Sequence, residues 1–370
     1  MINPLPVPKT VIEHHLLSLG APMKEWAAKK RIPPGLLLTG APGVGKRSMA
    51  YFLAQWILCE KSPFASLAHD EGPGLFGGGE AAATTPEFSL LPCGECLRCQ
   101  RAIKAAWVDF TEITSEDDED NGTGTLKIDQ FRKLKSGLGF GAHEGAFKIL
   151  LIANADRMTP QAANSVLKML EEPPPGWLFF LTASDPTLVL PTVLSRVQTI
   201  RLRPFSAESL RKLLSESGIA PDRQPICAEL AQGSWNKAIS MAGDEVWEQR
   251  KEIFNFLRNP QEGMNPLVDA MAQSQTQFEL LADQLEQCTS DLIRWSVSPE
   301  THAWANRDGA AALAAHAKAT LRTHGSVAAA REFWIARAER LARARRESLA
   351  PLNRKLLVAD VLLPWLEATG

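Results

Sequence analysis

Between Gly35 and Leu58 the sequence passes from a short apolar run, through Gly40-Ala41-Pro42-Gly43-Val44-Gly45-Lys46, into a helical pattern. The loop has the spacing G-x-x-x-x-G-K. Its glycines let backbone N–H groups turn toward phosphate oxygens, and its lysine adds positive charge at a helix N-terminus. Gly40, Gly43, Gly45 and Lys46 are therefore the candidate phosphate-binding residues. Beyond them Met49, Phe52, Leu53, Trp56 and Ile57 recur at i, i+3, i+4, i+7 and i+8, one face of a helix. A strand that feeds a buried helix through such a loop commits the chain to an α/β layer. The position after the lysine ordinarily carries a hydroxyl that ligates magnesium. Arg47 stands there, and Ser48 comes one residue late, turned by about 100° around the helix.

A chain of 370 residues exceeds what a single core fills, so two or three domains are expected. With 45% hydrophobic and 22% charged residues it has an ordinary globular composition. It contains no apolar run long enough to span a membrane, and Met1 to Thr10 lack the blocks of a signal peptide, so a cytoplasmic location is expected. A net charge of -2 excludes the strong positive field of a non-specific nucleic-acid binder.

The α/β rhythm resumes at Phe147 to Ala153, an almost continuous apolar run of the kind found in central parallel strands. Ala163, Val166, Leu167 and Leu170 then mark a helix ended by Pro173-Pro174-Pro175, and Trp177 to Thr182 and Gln198 to Leu202 read as further strands. The sheet is thus predicted to be parallel and doubly wound. Residues 60–92 break every periodicity and read as a flexible insertion, and the acidic run Glu116 to Gly122 reads as a solvated loop. After Pro204 the strand signals stop. Ser206 caps a helical segment, and the remainder offers amphipathic helices broken at Gly233, Pro260 and Pro299, which places a small helical lid at about 206–245 and a larger helical domain after it.

A nucleotide-hydrolysing site needs a carboxylate at the end of a buried strand to hold magnesium and a neighbouring one to activate water. After Ile152 those positions are Ala153 and Asn154; Asp156, two residues further on, reads as the cap of a following turn. Cys59, Cys93, Cys96 and Cys99 form a separate group, whose C-x-x-C-x-x-C spacing suits a tetrahedral zinc site. An iron–sulfur cluster or free thiols are the alternatives, and His69 is a substitute fourth ligand should Cys59 not take part. Cys227 and Cys288 stand alone in helical patterns and read as core residues. Arg196, in Leu194-Ser195-Arg196, reads by itself as a surface salt-bridge partner.

Together the P-loop with its altered metal position, the cysteine set, Asn154-Ala155-Asp156-Arg157-Met158, the stretch Ala163 to Pro174 and Ser195-Arg196 resemble the delta-prime subunits of bacterial DNA polymerase III clamp loaders. The resemblance runs from about residue 30 to 245 and continues weakly through Asn353 to Leu356. It implies an AAA+ P-loop domain over 1–205 with a zinc module at 59–99, a lid over 206–245 and an all-α collar over 246–370 that assembles the subunit into a ring. It further implies a subunit that holds ATP or ADP, if at all, without hydrolysing it. Such a subunit works beside motor subunits of gamma or tau type, a delta subunit, a sliding clamp and primed DNA, within a nucleoid-associated replisome. Arg196 matches the arginine finger that such subunits donate to a neighbour's ATP site. Val197 stands where the family motif has cysteine, and Asn236 where motor subunits place a nucleotide-sensing arginine. The alternatives are a hydrolysing motor subunit of the same loader, against which Arg47, Ala153 and Asn154 speak, and a zinc-bearing DNA-binding module. The latter needs a basic stripe; Arg337, Arg340, Arg343, Arg345 and Arg346 are spread around a helix and read as a solvated face.

Overall fold

The computed structural model describes residues 5–69, 89–114, 124–135, 142–300, 302–348 and 353–366. Most of the glycine-rich insertion and all of the acidic run lie outside the described residues. The chain divides into two compact units: residues 1–209 with 233–235, and residues 210–232 with 236–370.

Among its described residues the first unit is built on five parallel strands: β1 (Gly35–Thr39), β2 (Phe110–Ile113), β3 (Lys148–Ile152), β4 (Trp177–Ala183) and β5 (Gln198–Arg201). They lie side by side in the order β2-β3-β4-β1-β5, so β4 is inserted between β1 and β3. In register, Gly35 faces Phe179 and Ile152 faces Leu181. Every residue of β1 and β4 is buried, which is why these strands read as unbroken apolar runs. The edge strand β5 buries only Ile200 of its four residues. Sequence reasoning missed the other edge strand, β2, because Phe-Thr-Glu-Ile offers two apolar residues with a carboxylate between them and no periodic signal.

Among the described residues six helices accompany the sheet: α1 (Lys9–Lys29), α2 (Lys46–Leu58), α3 (Leu97–Ile103), α4 (Ile128–Lys135), α5 (Pro160–Glu171) and α6 (Pro191–Leu194). The first of them also escaped the sequence reading, since Gly20 and Pro22 act as breakers in isolation; in the fold Val11, His15, Leu19, Met23 and Trp26 bury one side of it. Helix α2 is buried not on one face but from Met49 to Leu58 without interruption. The Thr159 side chain caps α5, accepting from the Ala162 N–H at 3.2 Å, and Pro160 follows at the first helical position.

The second unit is all helical among its described residues, comprising α7 (Ala207–Glu216), α8 (Gln224–Leu230), α9 (Trp235–Met241), α10 (Asp244–Arg258), α11 (Pro260–Ala272), α12 (Gln275–Val297), α13 (Ala310–His324), α14 (Val327–Glu347) and α15 (Arg354–Leu366), apart from the first residues of α7 and α9. Ser274 and Ser326 cap its two longest helices, each accepting a backbone N–H three residues on at 3.1 Å. Its core gathers Phe256, Phe278, Trp334 and Trp365 with a layer of leucines. Cys288 is wholly buried in that core and Cys227 is wholly buried elsewhere in the unit; removal from water pushes their thiols up to about 12 and about 11. Among the described residues no helix is long and apolar enough to cross a membrane.

Candidate nucleotide and metal sites

The P-loop leaves β1 at Thr39 and enters α2 at Lys46. Gly43 and Gly45 have φ of 76° and 85°, a region that residues with a Cβ rarely enter, and this turns the loop's amides toward the helix N-terminus. Neighbouring elements hold the loop from outside. The His15 ring on α1 donates through Nε2 to the Val44 carbonyl at 2.7 Å, and the Trp235 N–H donates to the Gly43 carbonyl at 2.9 Å. Burial beside His14 lowers His15 to about 4, so its ring is neutral at physiological pH.

Lys46 is turned inward. Its ammonium donates to Gly40 O at 2.7 Å, Ala41 O at 3.0 Å and Ser184 Oγ at 3.0 Å, which occupies all three of its protons. Burial lowers its pKa, and the Asp156 carboxylate offsets part of that shift. Asp156 does not cap the turn that follows it, as the sequence suggested: its Oδ2 accepts the Ser184 and Asp185 N–H groups at 2.9 and 3.0 Å and so closes the turn after β4.

Arg47 points away from the phosphate cradle to the sheet edge. Its Nε and Nη2 each meet a Glu112 carboxylate oxygen of β2 at 2.6 Å, and the Tyr51 hydroxyl donates to the same carboxylate at 2.6 Å. The guanidinium also lies 5.2 Å from the Tyr51 ring centroid. The bidentate bond to Glu112 raises the Arg47 pKa, and burial with the Glu112 hydrogen bond and charge raises that of Tyr51. At the end of β3, Ala153 offers no ligand. Asn154 has φ of 57°, and its N–H donates to Thr182 Oγ1 at 3.0 Å. The residues present therefore do not fit a magnesium ion: the hydroxyl position holds a committed cation and the carboxylate positions hold none.

Cys59, the residue that ends α2, meets Cys93, Cys96 and Cys99 with all four sulfurs within 4.8 Å of one another. Cys59 lies 3.5 Å from Cys93 and 4.0 Å from Cys96, and Cys93 lies 4.0 Å from Cys99. A tetrahedral ion with metal–sulfur bonds of about 2.3 Å places its sulfurs about 3.8 Å apart, so the group has the dimensions of a single-ion site. The Lys61, Cys93, Cys96 and Cys99 N–H groups donate to the sulfurs at 3.4 to 3.5 Å, the backbone support that thiolate ligands require. A hydrogen bond from Cys99 lowers the Cys59 thiol to about 5, while Cys99 is raised. The fourth sulfur is that of Cys59, so the set closes without His69.

Arg196 lies just past α6, at the end of β1 remote from the P-loop. A Cβ on Gly35 would meet Val197 Cγ1 at 2.8 Å, Arg196 O at 3.1 Å and Leu170 Cδ2 at 3.2 Å, so glycine is required for this close approach. The Arg196 guanidinium is exposed; Nη1 donates to Thr192 O at 3.0 Å and Ser195 Oγ at 3.1 Å, and Nη2 pairs with Glu171 at 2.9 Å. On α14, Arg340 pairs with Glu347 and Asp360, Arg345 with Asp283 and Glu286, and Arg337 lies over Phe333. Three of the five arginines are thus held by partners within the helical unit rather than forming a simple solvated face. Arg343 and Arg346 are exposed.

A parallel sheet with a P-loop after β1 and a strand inserted between β1 and β3, followed among the described residues by helices alone, defines a module of the AAA+ class. Residues 80–206 match the sequence model of the family described as DNA polymerase III, delta subunit. The delta-prime subunit of Yersinia pestis is 25% identical over 361 residues, covering 94% of both chains. DNA polymerase III subunit tau of Escherichia coli is 28% identical over 222 residues, or 58% of this chain; the match spans only 30% of that protein. A DNA polymerase III gamma subunit-related protein of Thermotoga maritima superposes over 96% of this chain and 100% of its own, with a TM-score of 0.45 and 16% identity, too slight a likeness to argue from. By these matches the chain is similar to the delta-prime subunits of DNA polymerase III.

Proposed function

We propose that this chain is the non-hydrolysing member of a clamp loader and that it completes the ATP site of a neighbouring motor subunit with Arg196. One observation carries the reading: the chain's own P-loop and its exposed arginine lie at opposite ends of β1. Arg196 packs on Gly35 at the start of that strand, and the cradle begins at Gly40. Five residues of strand span about 16 Å, more than an arginine side chain can reach, so Arg196 is available to a site on another chain and not to its own. Arg47, Ala153 and Asn154 meanwhile leave the P-loop without ligands for magnesium or a base for water, which favours this reading over that of a motor subunit.

In this reading the four cysteines hold a structural zinc ion, residues 206–245 form the lid and residues 246–370 form the collar that joins the ring. The other members are motor subunits of gamma or tau type and a delta subunit, and the assembly acts on a sliding clamp and primed DNA. Any ATP or ADP in the P-loop stays unhydrolysed. A guanidinium directed at the transferring phosphoryl group stabilises charge that develops in the transition state, and in well-measured nucleotide hydrolases a finger supplied in trans contributes roughly 10³ to 10⁵ in rate. The test is DNA-stimulated ATP hydrolysis by a reconstituted complex containing wild-type or Arg196→Ala chain. The substitution is expected to leave assembly intact and to lower hydrolysis and clamp loading partially, because one of several ATP sites is affected. Unchanged rates in a fully assembled mutant complex would remove the finger role.

A further inference from the structure

Building on the finger reading, we propose that Glu171 is the positioning residue of Arg196, holding the guanidinium in the orientation from which it enters the neighbouring site. Glu171 is the last residue of α5, and its Oε1 lies 2.9 Å from Arg196 Nη2. Thr192 O and Ser195 Oγ take Nη1 from the other side, and the Ser195 hydroxyl is itself fixed by donating to Thr192 O at 3.0 Å. These contacts engage both terminal nitrogens and leave Nε–H without an acceptor among the described residues.

The backbones that carry the pair are set by packing rather than by the pair itself. Leu170 precedes Glu171 and Val197 follows Arg196, and both side chains fill the space left by the missing Cβ of Gly35. The two charges are therefore brought together by a close-packed contact one residue away from each. Both side chains remain open to an approaching subunit, with 37% of the Arg196 side chain and 48% of the Glu171 side chain exposed.

Arginine is charged at every physiological pH, so the carboxylate is not needed to charge it. What the carboxylate supplies is geometry. An exposed arginine samples many rotamers, and a fork already held on one edge loses less freedom when it meets the developing phosphoryl charge. Exposed ion pairs of this kind are weak, so the effect at the one ATP site is about two- to fivefold.

The experiment uses a reconstituted loader in which the other ATP sites are silenced by substituting the P-loop lysine of their motor subunits. ATP hydrolysis is measured with this chain as wild type, Glu171→Gln, Glu171→Asp, Arg196→Ala and the Glu171→Gln/Arg196→Ala double variant. Glu171→Gln is expected to lower kcat about two- to fivefold with KM for ATP little changed. Glu171→Asp is expected to fall between, and Glu171→Gln to add nothing once Arg196 is absent. Hydrolysis unchanged or accelerated by Glu171→Gln, in a complex where Arg196→Ala is slow, overturns the positioning role alone. An Arg196→Ala complex that hydrolyses normally removes the finger reading and this proposal with it.

Discussion

At the residue scale, the bond between Arg47 and Glu112 shows where the side chain next to the P-loop lysine is committed. A threonine there would face the metal; the longer arginine reaches β2, where Glu112 is only 6% exposed, and Tyr51 completes the carboxylate's hydrogen bonding. Removing one partner of a buried pair leaves the other charge uncompensated, at a cost of about 3 to 5 kcal/mol when both are fully buried. Because a third of the Arg47 side chain is exposed, solvent screens part of that loss. Glu112→Gln, which conserves shape, is therefore expected to destabilise the first unit by about 1 to 3 kcal/mol, read as a lowered midpoint in urea without a change of slope. A midpoint within error of wild type would put this pair among ordinary surface bridges. The arginine was legible in the sequence as an intruder at the metal position. Its partner was not, because Glu112 lies on a strand too short to announce itself and 65 residues away.

At the element scale, the cysteine module joins the end of α2 to α3 across a long insertion. The sequence spacing defined three of its sulfurs; the fourth depended on where α2 ends, since Cys59 follows Leu58 directly. Four thiols this close resist joint ionisation unless a cation is present, so in the proposed zinc site binding the ion and ordering the segment would be one event. Cys99 is wholly buried and supplies a backbone N–H to the Cys96 sulfur at 3.4 Å, which makes it the most telling member to remove. Cys99→Ser is expected to abolish an otherwise stoichiometric zinc content, to cost several kcal/mol of local stability and to raise the rate of amide hydrogen exchange through residues 93–103. Retention of one zinc per chain, or unaltered exchange, would count against a structural site.

At the scale of the whole molecule, each unit has its own core, and each core contains a histidine with its pKa depressed to about 4 from an ordinary 6.5 by burial: His15 in the first and His316 in the second. Between those values the unfolded chain binds more protons than the folded one, so stability is full above about pH 6.5 and falls as pH is lowered toward 4. A gap of this size costs about 2 kcal/mol per histidine by pH 5. His316 touches no catalytic element and packs 5.4 Å from the Trp365 ring, so His316→Phe tests the linkage without disturbing the P-loop. The variant is expected to lose less Tm than wild type between pH 7 and pH 5. Parallel Tm curves would show that the buried histidine is not the group that titrates.

By itself the sequence determined the class of the first unit, because the P-loop spacing, the unbroken apolar strands and the proline-terminated helix are local signals written within a few residues of one another. It also determined that the metal positions are vacated, since that is a matter of residue identity at fixed steps from Lys46 and Ile152. Only the tertiary structure decided how the charges are used. Glu112 and Glu171 are anonymous carboxylates in the sequence, and Arg340 and Arg345 read there as solvated. Each acquires its role from a partner 20 or more residues away, except for the bond between Arg340 and Glu347. The physical reason is that an ion pair depends on distance in space, which the packing of Leu170 and Val197 on Gly35 or of β2 beside β3 sets, and no local pattern encodes it.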